Sequence, residues 1–240
     1  MINKQKIGAI IAARMGSSRL PGKVMMPLLG IPVITFLINR LKESKYIDSL
    51  VLATSIAPEN KVLIEEANNL GISTFAGDMN EENVLQRYVM AESKFKFDYV
   101  VRVTADCPFL NGKVIDYILE AGFKDNELPD LITGKPDFPS GLDSEIYKSK
   151  SINQIYFDKN LIAGDNEHML NFIYRNKSDF NIKYINPPLE LSKKVDNIFL
   201  LDTESDYKSI CKILSTTKDP LISPELILEN YLKINKYYDF

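Results

Sequence analysis

The apolar run Ile7–Ala13 has no polar break. Such runs suit a strand buried on both faces of a parallel sheet. The pattern then changes period. Over Pro32–Lys45, Val33, Phe36, Leu37, Arg40 and Leu41 recur at helical spacing, with Pro32 near the start. Asp48–Ser55 reads as a second strand. Pro58–Leu70 reads as a second helix, stopped by Gly71. Ile72–Phe75 is a short strand. Glu81–Phe95 is a helix with Val84, Leu85, Tyr88 and Val89 facing inward. Asp98–Thr104 is a strand and Lys113–Phe123 a helix. Strand and helix thus alternate to about residue 125, which predicts a doubly wound α/β fold with a mostly parallel central sheet flanked by helices.

After residue 125 the rhythm loosens. Lys124–Leu142 is rich in Pro, Gly and Asp, with one strand expected at Asp130–Thr133. Ser149–Phe157 and Asn166–Tyr174 read as helices. Phe180–Ile185 and Val195–Leu201 read as strands, and Glu204–Ser215 and Pro224–Tyr237 as closing helices. No repeat or linker divides the chain. The expectation is a single domain over 1–240, in two halves of about 1–125 and about 126–240, the second completing the sheet of the first.

Composition narrows the classes of function. The net charge of −3 argues against broad electrostatic binding to nucleic acid. Cys107 and Cys211 are far apart and fit no metal-ligand spacing, which suits a reducing compartment. Met1–Lys6 does not read as a leader, and no apolar stretch reaches the roughly 18 residues of a membrane helix. The expectation is a soluble cytoplasmic protein without a membrane partner.

The loop "AARMGSSRLPGKVMMPLLG", Ala12 to Gly30, carries the first chemistry. It resembles a Walker loop, but five residues separate Gly16 from Gly22 and Val24 follows Lys23. It leaves a buried strand at the end where ligands of such sheets sit. Arg14, Arg19 and Lys23 can meet phosphate charge. Gly16, Ser17, Ser18 and Gly22 permit turns whose N–H groups face an anion. Ala12 and Ala13 lead into this loop and count with it as nucleotide-contacting. A solvated basic loop is the alternative.

Asp106 follows the strand in "VRVTADCPFL", and Asp202 follows an apolar run in "FLLDTESD". Two strand ends finishing in aspartate can converge on a hard cation such as magnesium. Each aspartate can instead cap a helix or shape a turn. In "PSGLDSEIY", Gly141, Asp143 and Glu145 place carboxylates on one face if the stretch is extended, ready for sugar hydroxyls or for solvent. His168 beside Glu167 in "DNEHML" is a site residue or a surface histidine. Arg87 in "NVLQRY" has either a ligand or a salt bridge. The absence of Gly-x-Gly-x-x-Gly after the first strand disfavours a dinucleotide-dependent dehydrogenase.

These segments, in this order, resemble the cytidylyltransferase family that makes CMP-activated acidic sugars. The likeness is to its spore-coat-polysaccharide branch, related to the CMP-Kdo and CMP-nonulosonate synthetases. "AARMGSSRLPGK", "TADCPFL", "PSGLDSEIY", "NEHMLNFIYRN" and "LDTESDY" carry it. The resemblance implies a Rossmann-like nucleotide-diphospho-sugar transferase fold, usually a homodimer. It implies CMP transfer from CTP to a 3-deoxy-ulosonic or nonulosonic acid with loss of pyrophosphate, for surface polysaccharide or glycan biosynthesis. By resemblance, Arg14, Ser17, Arg19 and Lys23 hold the triphosphate, and Asp106 and Asp202 hold Mg2+. Thr54, Gly77 and Arg87 lie near base or ribose, and Gly141, Asp143, Glu145, Glu167 and His168 lie at the sugar. Arg14, Lys23 and Asp106 are then the catalytic group. Leu201 before the Asp-Thr pair and Ser140 depart from the family pattern, both towards the sugar. A sugar-phosphate or polyol-phosphate acceptor, or a non-catalytic scaffold, are the competing readings.

Overall fold

The structure is a computed structural model describing residues 2–125, 127–192 and 198–236. The first half runs β1 (Ile7–Ala12), β2 (Pro27–Leu28), β3 (Ile31–Pro32), α1 (Val33–Leu41), β4 (Ser49–Ser55), α2 (Lys61–Asn69), β5 (Ser73–Gly77), α3 (Val84–Phe95), β6 (Tyr99–Thr104) and α4 (Gly112–Gly122). The second runs β7 (Leu131–Thr133), β8 (Glu145–Lys148), α5 (Ser149–Tyr156), α6 (Ala163–Glu167), α7 (Asn171–Arg175), β9 (Ile182–Tyr184), α8 (Glu204–Leu214) and α9 (Pro224–Lys236).

The central sheet has the order β5-β4-β1-β6-β8-β7-β9. β5, β4, β1 and β6 are parallel, and β8 runs antiparallel to both its neighbours. Strand β1 shows why its residues are apolar throughout. Ile7, Ala9 and Ile11 join the core built by α1 and α4, while Ile10 and Ala12 face Leu85 and Tyr88 of α3. Side chains alternate across a strand, so a strand covered by helices on both faces needs apolar residues at every position.

Arg40 sits on the buried face of α1, as its helical spacing implies. Its guanidinium donates to the carbonyls of Pro220, Ile222 and Phe109 at 3.1, 2.8 and 2.9 Å. Burial lowers its pKa to about 10. This arginine fastens the segment before α9 to the first half of the chain.

Several expectations need correction. Val195–Leu201 does not form a strand where it is described: Ile198 and Phe199 lie in a turn, Leu200 and Leu201 are irregular, and Val195 to Asn197 lie outside the described residues. Phe199 and Leu201 are buried without joining a ladder. The helix expected over Asn166–Tyr174 is two short helices, α6 and α7, broken at His168. The helix expected from Glu81 begins at Val84, because the Asn83 side chain accepts from the Gln86 N–H and caps it there. Strand β8 was not anticipated. α9 is described to Lys236, so Tyr237 of that expected helix lies outside the described residues.

Candidate active site

The loop after β1 folds on its own carbonyls and on Asn60. Met15 donates its N–H to Asn60 Oδ1 at 2.9 Å, and Met15 O accepts from Ser17 and Gly22, each at 3.0 Å. Gly22 closes the loop at φ +71°, where a side chain is strained. The next residue, Lys23, opens a short 3-10 turn, Lys23–Met25. Among the described residues, no acceptor takes the N–H groups of Gly16, Ser18 or Arg19. These donors are available to an anion.

Beyond the carboxyl ends of β1 and β6 lies a cleft of about 300 Å³. Ala12, Ala13, Arg14, Ser17, Arg19 and Lys23 line one side. Arg87, Asp106, Glu167 and Asp202 line the rest, with Glu82, Arg102 and Thr104 between them. The position fits the ligand crevice of open α/β sheets.

Each loop cation has a carboxylate. Arg14 holds Glu82 with two bonds of 2.5 and 3.2 Å. Arg19 Nη2 lies 3.1 Å from Asp202 Oδ2. Lys23 Nζ donates to Asp202 Oδ1 at 2.8 Å, to Leu201 O at 2.8 Å and to Asp106 Oδ2 at 3.4 Å. Its side chain is only 11% exposed. Asp106 and Asp202, far apart in sequence, thus meet on one ammonium. The Leu201 N–H donates to Asp106 O at 2.8 Å and fixes the two segments together.

The helix-cap alternative for Asp202 falls to its neighbour. Thr203 is the N-cap of α8: its Oγ1 accepts from the Asp206 N–H at 3.2 Å, and Asp206 Oδ2 accepts from the Thr203 N–H at 2.8 Å. The Asp202 side chain is left for the cleft. Asp106 is not the cap of α4 either, since Asn111 Oδ1 accepts from the Val114 N–H.

Two carboxylates open to a cleft suit a hard cation that keeps phosphate and water ligands. Among the described residues, no three His, Cys, Asp or Glu side chains cluster as a metal cage. The donor set therefore fits Mg2+ and does not fit a closed zinc site.

The remaining expected residues are dispersed. Thr54 is fully buried at the end of β4, its Oγ1 without a partner, and it does not line the cleft. Gly77 ends β5 against Met79, also off the lining. Gly16 sits where a Cβ would come 3.3 Å from the Glu81 carboxylate. Arg87 reaches the cleft and makes no salt bridge among the described residues; its Nη2 donates to Glu81 O at 2.5 Å. Burial lowers the Arg87 pKa. His168 is exposed beyond α6 and off the lining, while Glu167 is on it.

Gly141, Asp143 and Glu145 border a smaller recess of about 40 Å³. It shares Arg102 and Thr104 with the cleft. The stretch is not extended throughout: Gly141 lies in a turn and only Glu145 is in β8. The carboxylates meet because Lys135 Nζ lies 4.0 Å from Asp143 and 3.3 Å from Glu145. Glu145, 4% exposed, also accepts from Arg102 at 3.2 Å and from the Tyr174 hydroxyl at 2.7 Å. Burial raises the Asp143 pKa, against the pull of Lys135. Gly141 has φ +92°, and a Cβ there would lie 2.7 Å from Phe199 O. The glycine admits that close approach, and its N–H donates to Asp143 Oδ1 at 2.9 Å.

Arg102, Glu82, Glu81 and Asn60 had not been anticipated. Arg102 had a signal, a charge inside the apolar strand "DYVVRVT". Glu81 and Glu82 precede the Asn83 cap and so lie outside α3 rather than in its first turn. Burial opposes ionisation of Glu81, but hydrogen bonds from Ser55 and Asn60 and the charges of Arg14 and Arg87 outweigh it and lower its pKa. Asn60 carried no sequence signal.

The sequence profile of the cytidylyltransferase family matches residues 8–237. The chain belongs to that family. It is 29% identical over 205 residues to the spore coat polysaccharide biosynthesis protein SpsF of Bacillus subtilis, covering 84% of this chain and 83% of that one. It is 27% identical over 250 residues to a 3-deoxy-manno-octulosonate cytidylyltransferase of Fusobacterium nucleatum, covering 96% and 98%. The structure of a cytidylyltransferase from Leptospira borgpetersenii superposes with a TM-score of 0.86 at 26% identity, over 98% of this chain and 96% of that one. As a cytidylyltransferase the chain is a CTP-dependent nucleotidyltransferase with the Rossmann-like fold of that family. No helix among the described residues is long and apolar enough to cross a membrane.

Proposed function

We propose that this cytidylyltransferase transfers CMP from CTP to an acidic sugar of the 3-deoxy-ulosonic or nonulosonic kind, for surface polysaccharide or glycan biosynthesis. The observation that carries the reading is the meeting of Asp106 and Asp202 on Lys23, at the mouth of a loop with two more cations. The relatives' names supply the acidic sugar and the polysaccharide.

The roles follow from charge and position. Arg14, Arg19 and Lys23, with the free loop amides and Ser17, receive the triphosphate; Arg87 approaches the nucleoside. Arginine grips phosphate oxygens in a fork, and lysine offers a mobile point charge. Asp106 and Asp202 would hold Mg2+, which supplies charge neutralisation at the phosphates. The sugar hydroxyl forms a bond to the α-phosphorus. The bond from that phosphorus to the bridging oxygen breaks, pyrophosphate leaves with the electron pair, and the hydroxyl proton passes to water. Positioning and electrostatics supply the rate, without a covalent nucleophile.

The recess that meets the cleft through Arg102 and Thr104 is too small for a whole sugar, and its polar groups would border an acceptor lying in the cleft. Lys135, 42% exposed, is a cation for a sugar carboxylate, and Asp143 can accept from a sugar hydroxyl, while the buried Glu145 holds Lys135 in place. We place the enzyme in the cytoplasm as a homodimer, on the family resemblance. The test is pyrophosphate release from CTP and Mg2+ across a panel of 2-keto-3-deoxy acids, nonulosonic acids and sugar phosphates. Release with an acid supports the reading, and release with sugar phosphates alone overturns it.

A further inference from the structure

We infer that Lys23 holds the place of the divalent cation and couples its entry to that of the nucleotide. The inference rests on the reading of Asp106 and Asp202 above. All three N–H donors of the ammonium are engaged, two with carboxylate oxygens and one with the Leu201 carbonyl. The two carboxylates that a divalent cation would bind therefore already share one near-buried positive charge.

Two consequences follow. A metal ion approaching the empty enzyme meets two carboxylates that Lys23 must first surrender. An ammonium so placed cannot be left unpaired without a large penalty. The nucleotide removes that penalty, because its phosphates give the flexible lysine stem a new anion within the same cleft. Metal and nucleotide each strengthen the binding of the other, and the coupling is reciprocal. Arg19 repeats the exchange on the other oxygen of Asp202, more weakly, because it is largely exposed.

A purely structural lysine predicts the reverse. If Lys23 only held the aspartates in position, removing its charge would loosen the metal site. Titration of Mn2+ into the nucleotide-free protein separates the two, read by calorimetry or by the spin resonance of free Mn2+. Lys23→Met should bind Mn2+ at least tenfold more tightly than the unaltered chain. Adding Asp202→Asn to Lys23→Met should abolish the gain. Lys23→Gln reads the same comparison should the methionine variant melt early. Equal or weaker binding by both Lys23 variants overturns the coupling and leaves the metal site standing. A gain that survives Asp202→Asn overturns the metal site as well.

Discussion

Arg14 grips the Glu82 carboxylate with both terminal nitrogens, at 2.5 and 3.2 Å, across the mouth of the cleft. The first arginine of the loop after β1 is therefore occupied until a ligand competes for it. Glu82 is 63% exposed, and such pairs contribute at most about 1 kcal/mol. Glu82→Gln should release Arg14 and tighten CTP binding by up to about fivefold. Calorimetric titration with CTP checks this; weaker binding would show that Glu82 itself supports the nucleotide.

Asp106→Ala should lower kcat/KM by at least about a hundredfold, the scale of one lost electrostatic contact at a reacting phosphate. The fold should persist, because the carboxylate lies at the cleft rim and Leu201 is held by the backbone carbonyl of Asp106. Steady-state kinetics beside a thermal melt separate the two. A loss of activity matched by a large fall in melting temperature would count against the assigned role.

Glu92 of α3 is buried, and its Oε1 accepts from the Tyr147 hydroxyl at 2.5 Å while Oε2 has no partner. Burial pushes its pKa up from 4.5 to about 7, partly offset by the hydrogen bond from Tyr147. The folded state thus keeps a proton that the unfolded chain releases. Its stabilising contribution is complete below about pH 4.5 and is lost as pH rises through about 7, an effect of up to about 3 kcal/mol. Urea unfolding at pH 5 and pH 8 should show the fall, and Glu92→Gln should flatten it. Equal pH dependence in the two chains would contradict the assignment.

Gly141→Ala should strain a backbone at φ +92° and push a methyl against Phe199 O. A cost of roughly 1–3 kcal/mol in stability is expected. A backbone shift that relieves the strain displaces the N–H of residue 141 that holds the Asp143 carboxylate, so KM for the acceptor should rise more than KM for CTP. Initial-rate kinetics with each substrate varied would show it.

Much of the fold was legible, for identifiable reasons. The two-faced burial of β1 demands Ile7–Ala12 to be apolar, and helices α1 to α4 announce themselves by spacing. Phe199 and Leu201 are apolar because they are buried and not because they pair in a ladder; the Phe199 carbonyl packs close to Gly141, and the Leu201 N–H donates to Asp106 O. Strand β8 was hidden by Glu145, a buried carboxylate whose partners Arg102, Lys135 and Tyr174 lie on three separate segments. The loop cations were visible as cations. Their partners were not, since Lys23 and Asp202 are 179 residues apart and no local pattern encodes that meeting. The Thr203 cap shows the gain from geometry: it assigns the capping to one residue of the Asp-Thr pair and the cleft to the other.

The acceptor assignment is the centre of the account. A single reaction with CTP and Mg2+, offering 2-keto-3-deoxy acids, nonulosonic acids and sugar phosphates together at equal concentration, tests it most directly. Mass spectrometry of the products should find a CMP ester of an acid, matched by pyrophosphate. A cytidine diphosphate sugar as the sole product would contradict it.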